Sequence, residues 1–185
     1  GYAVACVDNR GTPCPRGRDW RKVVYRQVGT LASKDQAAAA RELLKRPYLD
    51  AKRVGVWGWS GGGSMTLNLL FRSPDLYRVG MSVAPVPDQT LYDTIYQERY
   101  MGLPLENAEG YRTTSPVNKA DALKAKLLLI HNIEDDNVHF QNTLQMANAL
   151  EMAGKRFQML VYPQKGHAVT GELRRNLLEQ TTAFF

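Results

Sequence analysis

Apolar residues gather in five short, largely β-branched runs, at positions 2–7, 53–57, 79–84, 127–130 and 157–162. Short continuous runs of this kind, bounded by polar and turn-forming residues, suit strands buried on both faces. The spacing between them is helical. Positions 33–45 open with Ser33 and Gln36 at capping-box spacing and continue through Ala37 to Ala40, which predicts a helix. A second helix is expected over 138–153, with Phe140, Leu144 and Ala147 on one face and Gly154 as its stop. Positions 65–71 read as another, and a last helix follows Thr170 to the end. Strands alternating with helices imply an α/β architecture, a mostly parallel sheet covered on both faces. The least regular stretch is 85–119, where Pro85, Pro87, Pro104 and Pro116 mark turns. An excursion of that length between two strands is more often functional than idle.

With 185 residues, 44% of them hydrophobic, one domain spanning 1–185 is expected. No stretch is apolar for long enough to span a membrane as a helix. A chain that opens on a core strand without a methionine suggests a piece of something longer. Cys6 and Cys14 are too few for a disulfide framework, and Cys6 is expected to be a buried free thiol. The net charge of +6 owes much to a cluster formed by Arg10, Arg16, Arg18, Arg21, Lys22 and Arg26. No nucleic-acid motif accompanies it, and Trp20 and Tyr25 form no stacking platform, so a solvated or partner-facing loop is expected and nucleic acid is not.

Chemistry enters with "VWGWSGGGSM", residues 56–65, where Ser60 stands between a tryptophan and three successive glycines. The stretch matches neither a P-loop nor a dinucleotide-binding fingerprint and has no lysine. It does match G-x-S-x-G, as Gly58-Trp59-Ser60-Gly61-Gly62, between an expected strand and an expected helix. That is the context of a nucleophile elbow, in which close packing should leave no room for a Cβ at Gly58 or Gly62. The helix that follows would aim backbone N–H groups at charge developing beside Ser60. A serine hydroxyl still needs a base, and the base an orienting group. In such a fold the partners should follow in the order acid then histidine, each beyond a later strand. After 127–130 comes "HNIEDDNVHF", and after 157–162 comes "PQKGHAV" with His167. His131 reads as a hydrogen-bonded core residue and His139 as a helix-start residue, which leaves His167 as the base. On spacing alone Glu134, Asp135 and Asp136 are equivalent candidates for the acid. No zinc spacing is present, and no metal or organic cofactor is expected.

These residues, with "DNRG" (8–11), "APV" (84–86), "LYDTIYQERYMGLP" (91–104) and "DDNVHF" (135–140), resemble the catalytic domain of the prolyl oligopeptidase family, in its dipeptidyl peptidase IV branch. The resemblance covers essentially the whole chain. It implies an α/β-hydrolase fold whose first strands are missing. It further implies Ser60 as nucleophile, Asp135 as the orienting acid, His167 as general base, and Gly61 as one oxyanion N–H. Tyr92 and Tyr96, one helical turn apart, would wall the pocket for the residue before the scissile bond, with Val86 and Val138. Asn137 would hydrogen-bond a substrate carbonyl. Aromatic walls suit a compact ring such as proline. Gly61 stands where the mammalian pattern has a tyrosine, and Gln89 replaces a pocket aromatic, which implies a wider pocket.

The resemblance thus implies a serine peptidase acting on peptides, releasing N-terminal dipeptides after proline or alanine through an acyl-enzyme. A broader esterase or acyl-peptide hydrolase would use the same triad. A third reading is a non-catalytic dimerisation module, since relatives form homodimers through this domain. Relatives also carry earlier strands that complete the oxyanion hole and a β-propeller that binds the substrate's amino terminus. They are often periplasmic, secreted or at the cell surface.

Overall fold

The computed structural model describes residues 1–13 and 15–185. Cys14 lies outside the described residues. Four parallel strands form one sheet in the order β1 (Gly55–Trp59), β2 (Val79–Val83), β3 (Lys126–Glu134) and β4 (Gln158–Lys165). The helices in chain order are α1 (Gly17–Lys22), α2 (Thr30–Leu43), α3 (Gly61–Arg72), α4 (Thr94–Met101), α5 (Ala108–Thr114), α6 (Gln141–Met152) and α7 (Glu172–Phe184). Among the described residues no helix is long and apolar enough to cross a membrane.

The period of two along β3 builds the core. Leu127 and Leu129 face one layer, with Leu67 and Leu70 of α3 and Met146 and Leu150 of α6. Leu128 and Ile130 face the other, with Met81, Val83, Tyr162 and Leu177 of α7. Helices therefore cover both faces, as expected for strands whose residues are apolar on both sides. Parallel pairing also aligns the C-terminal ends of all four strands, so the loops after β1, β3 and β4 emerge along one edge.

Several local expectations are corrected. Positions 2–7 form no strand, and most of them are exposed. A strand needs a ladder, and no described strand pairs with this segment. Cys6 is accordingly an exposed thiol. Helix α2 begins at Thr30 after Gly29, whose φ of 86° suits glycine. Ser33 donates to Thr30 O (2.9 Å) and Gln36 to Val7 O (2.7 Å), so neither forms a capping box. Helix α6 begins at Gln141 and buries Thr143, Met146, Ala147 and Leu150, while Leu144 is exposed. Gly154 does end it, with a φ of 66°. The excursion 85–119 contains α4 and α5 and is tied back by Val117 N donating to Pro87 O (3.0 Å). Within the basic cluster, Arg10 forks onto Asp35, Arg26 donates to Glu106 O, and the guanidinium of Arg16 lies over Trp20.

Candidate active site

β1 runs directly into Ser60, and α3 starts at the next residue. Ser60 holds φ 57° and ψ −120°, a conformation that costs a non-glycine residue about 1–3 kcal/mol and persists only where its surroundings enforce it. The surroundings are backbone. A Cβ on Gly58 would lie 2.2 Å from the carbonyl oxygen of Gly62, so strand and helix meet there without side chains between them. The expectation that Gly62 is also crowded fails, because nothing lies within 4 Å of its Cβ position. The second crowded glycine is Gly63, whose Cβ would approach Val83 O to 2.5 Å. Ser60 N donates to Val83 O (2.8 Å), and Val86 N donates to Ser64 Oγ (2.8 Å), tying the elbow to the end of β2. Gly61 is the first residue of α3, so its N–H has no intrahelical acceptor and points out of the positive end of the helix.

The loop after β3 selects one carboxylate of three. Asp135 has a fully buried side chain, whereas Glu134 and Asp136 are exposed residues. Asp135 Oδ1 accepts from the backbone N–H groups of Asn137 (3.0 Å) and Val138 (2.9 Å). Its Oδ2 accepts from His167 Nδ1 at 2.7 Å. With Nδ1 donating, Nε2 of the neutral ring is an acceptor, and that atom is buried without a hydrogen-bond partner. No hydrogen bond joins it to the Ser60 hydroxyl. The two segments nevertheless meet, because the neighbouring Trp59 Nε1 donates to the carbonyl of His167 (3.1 Å).

His131 is a buried core residue, as expected, and it braces this turn. Its Nε2 lies 2.7 Å from Val138 O, which can only accept, so Nε2 carries the proton. Nδ1 then accepts from the Thr143 hydroxyl (2.7 Å). Burial pushes the His131 imidazole below its ordinary range, outweighing Asp135, whose Oδ2 is 3.2 Å away. His139 is exposed and borders the adjoining cleft.

That open cleft has a volume of about 640 Å³ and is lined by Leu91, Tyr92, Asp93, Asp136, Asn137 and His139. Tyr92 donates to Asn137 Oδ1 (2.8 Å), which leaves the Asn137 amide N–H groups as donors. Burial raises the phenol pKa of Tyr92, with Asp93 and Asp135 adding to the effect, so Tyr92 stays protonated. Tyr92 precedes α4 rather than belonging to it, and Asp93 caps that helix by accepting from Tyr96 N (2.7 Å). The rings of Tyr92 and Tyr96 meet edge to face, 5.4 Å apart at 78°, rather than stacking. Tyr96 is 47% exposed and so is not a core residue. Val86 and Val138 are buried and do not line the cleft. Gln89 is buried as well, with Gln97 Nε2 donating to its Oε1 (2.5 Å). Sequence reasoning did not single out Asp93 or the structural role of Trp59. The Asp93 cap was readable from D-x-x-Y at the start of a helical run; the Trp59 contact joins residues 108 positions apart and had no local signal.

Comparison with known proteins identifies the family and the fold. The model described as the prolyl oligopeptidase family matches residues 1–185. Relatives described as "Probable dipeptidyl-aminopeptidase B" include one from Arthroderma gypseum, 42% identical over 172 residues, and one from Metarhizium robertsii, 43% identical over 173. Each alignment covers 91% of this chain but 19% of the relative, so the chain spans about one fifth of the length of these curated relatives. The crystal structure of Porphyromonas gingivalis dipeptidyl peptidase 4 superposes with a TM-score of 0.93 at 44% identity, covering 97% of this chain and 26% of that one. This likeness places the fold among the α/β-hydrolases.

Proposed function

Since the chain belongs to the prolyl oligopeptidase family, we propose that it forms part of the hydrolase domain of a serine peptidase that releases N-terminal dipeptides, with proline or alanine before the scissile bond. Ser60 is the nucleophile, His167 the general base and Asp135 the group that orients it. The observation that carries this reading is the 2.7 Å contact from His167 Nδ1 to Asp135, which leaves the opposite ring nitrogen unpartnered on a loop that Trp59, the neighbour of the strained Ser60, holds by its backbone. His167 takes the Ser60 proton as the hydroxyl attacks the peptide carbonyl, and the Gly61 N–H stabilises the resulting oxyanion. The same imidazole then protonates the leaving amine. Water, deprotonated by His167, releases the dipeptide from the ester. Tyr92 and Tyr96 flank the residue before the scissile bond, and Asn137 donates to a substrate carbonyl.

The test is made in the full-length protein with a Gly-Pro-amide and a butyrate ester. Ser60→Ala and His167→Ala should each lower kcat by on the order of 10⁶, with Asp135→Ala somewhat milder. Asp136→Ala should leave kcat near that of the wild type. A severe Asp136 effect beside an inert Asp135→Ala would overturn the assignment of the acid. Preference for the butyrate ester over Gly-Pro-amide would replace the dipeptidase reading with a broad esterase.

A further inference from the structure

A catalytic histidine on a loop is placed only as well as the backbone that carries it. Three successive carbonyls of the His167 loop are held by side chains from other strands. Asn132, at the irregularity in β3 and 3% exposed, sends Nδ2 to Gly166 O (2.9 Å) and to Ala168 O (3.1 Å). Trp59, the last residue of β1, sends Nε1 to the carbonyl between them, that of His167 (3.1 Å). Gly166 N donates in turn to Glu134 O (2.9 Å). The Asn132 amide can sit only one way round, because a flip would face its oxygen against two carbonyls. That orientation leaves Oδ1 buried without a hydrogen-bond partner, a destabilising arrangement. A side chain kept at this cost to stability, with both amide hydrogens directed at the residues flanking His167, points to a role in placing that residue.

We propose that Asn132 and Trp59 act together as positioning residues for the general base, a clamp from β3 and β1 that fixes the His167 backbone so that its ring reaches both Asp135 and Ser60. The inference rests on the triad reading above. Gly166 is half-buried and Ala168 exposed, so Asn132→Ala should still fold, and orientation is what is lost. Trp59→Phe keeps an aromatic ring and removes only the Nε1 donor together with part of the ring.

The experiment measures kcat and KM for a Gly-Pro-amide in the full-length protein carrying Asn132→Ala, Trp59→Phe or both, alongside His167→Ala and His167→Ala/Asn132→Ala. Each single clamp variant should lower kcat by roughly 10- to 100-fold, the scale of a small misplacement of a catalytic group. KM should stay within about twofold, since no substrate contact is removed. The double variant should lose less than the product of the two, because both residues hold one loop. Asn132→Ala should add nothing once His167 is alanine. If Asn132→Ala does not fold, the Trp59→Phe arm still decides. Wild-type kcat in the folded clamp variants, or a rise in KM alone, while His167→Ala abolishes turnover, overturns the clamp and leaves the triad standing. Wild-type turnover in His167→Ala overturns the triad reading and the clamp with it.

Discussion

Replacing Gly58 by alanine tests whether backbone contact between β1 and α3 creates the serine elbow. The new Cβ would lie 2.2 Å from Gly62 O and 2.3 Å from Gly62 C, both backbone atoms that no rotamer change can move aside. Restoring an ordinary carbon–oxygen contact of about 3.5 Å requires the start of α3 to withdraw by roughly 1 Å. Overpacking of this kind costs about 1–3 kcal/mol, which for a chain of this size is a fall of ~2–12 °C in thermal midpoint. The withdrawal carries Gly61 and Ser60 with it, and a 1 Å misplacement at a reacting centre lowers kcat by about 10². Gly62→Ala is the internal control. Nothing lies within 4 Å of its Cβ, and alanine in place of glycine inside a helix stabilises by roughly 0.5–1 kcal/mol. Thermal unfolding and steady-state hydrolysis of a Gly-Pro-amide by the two variants form the assay. Equal stability and turnover in Gly58→Ala and wild type would refute the argument that this contact holds Ser60 in its strained conformation.

Two further outcomes follow from the site. The His131 imidazole has an ordinary value of 6.5 that burial lowers in the folded chain, so the unfolded state binds more protons between the two values. The stabilisation is therefore fully present above about pH 6.5 and is lost as pH falls through the lowered folded value. Thermal midpoints should drop on acidification from pH 7, less steeply in His131→Gln, and identical slopes in the two proteins would contradict this. Tyr92→Phe removes the hydrogen bond to Asn137 Oδ1, a contribution of about 0.5–1.5 kcal/mol. KM for a Gly-Pro-amide should rise a few-fold with kcat nearly unchanged, and a fall in kcat alone would argue against a binding role for this pair.

Much of this architecture is legible in the chain because burial on both faces leaves continuous apolar runs, as at 127–130. The run at 2–7 shows the limit of the signal: it specifies an extended apolar segment but not a partner strand. A helix start is not legible where side chains suited to local capping bond elsewhere, as Gln36 does with Val7 O and Asn9 Oδ1. The buried face of α6 departs from its apolar pattern because Thr143 is buried against His131, while apolar Leu144 is exposed. The serine elbow was readable because glycine is required where backbone meets backbone, although the register slipped from Gly63 to Gly62. Spacing could not separate Glu134, Asp135 and Asp136, since β3 continues past Ile130 to Glu134 and only the residue just beyond it turns inward to His167. The Asn132 and Trp59 contacts join distant segments and had no local pattern to reveal them.

Covalent trapping tests the central claim most directly. The full-length protein is treated with a fluorophosphonate, digested, and the modified peptide sequenced by mass spectrometry, with His167→Ala and Asp135→Ala treated in parallel. The account predicts a single adduct on Ser60 that forms rapidly in the wild type, far more slowly in Asp135→Ala, and barely in His167→Ala. Labelling at another serine, or labelling of Ser60 at the same rate in all three proteins, would contradict it.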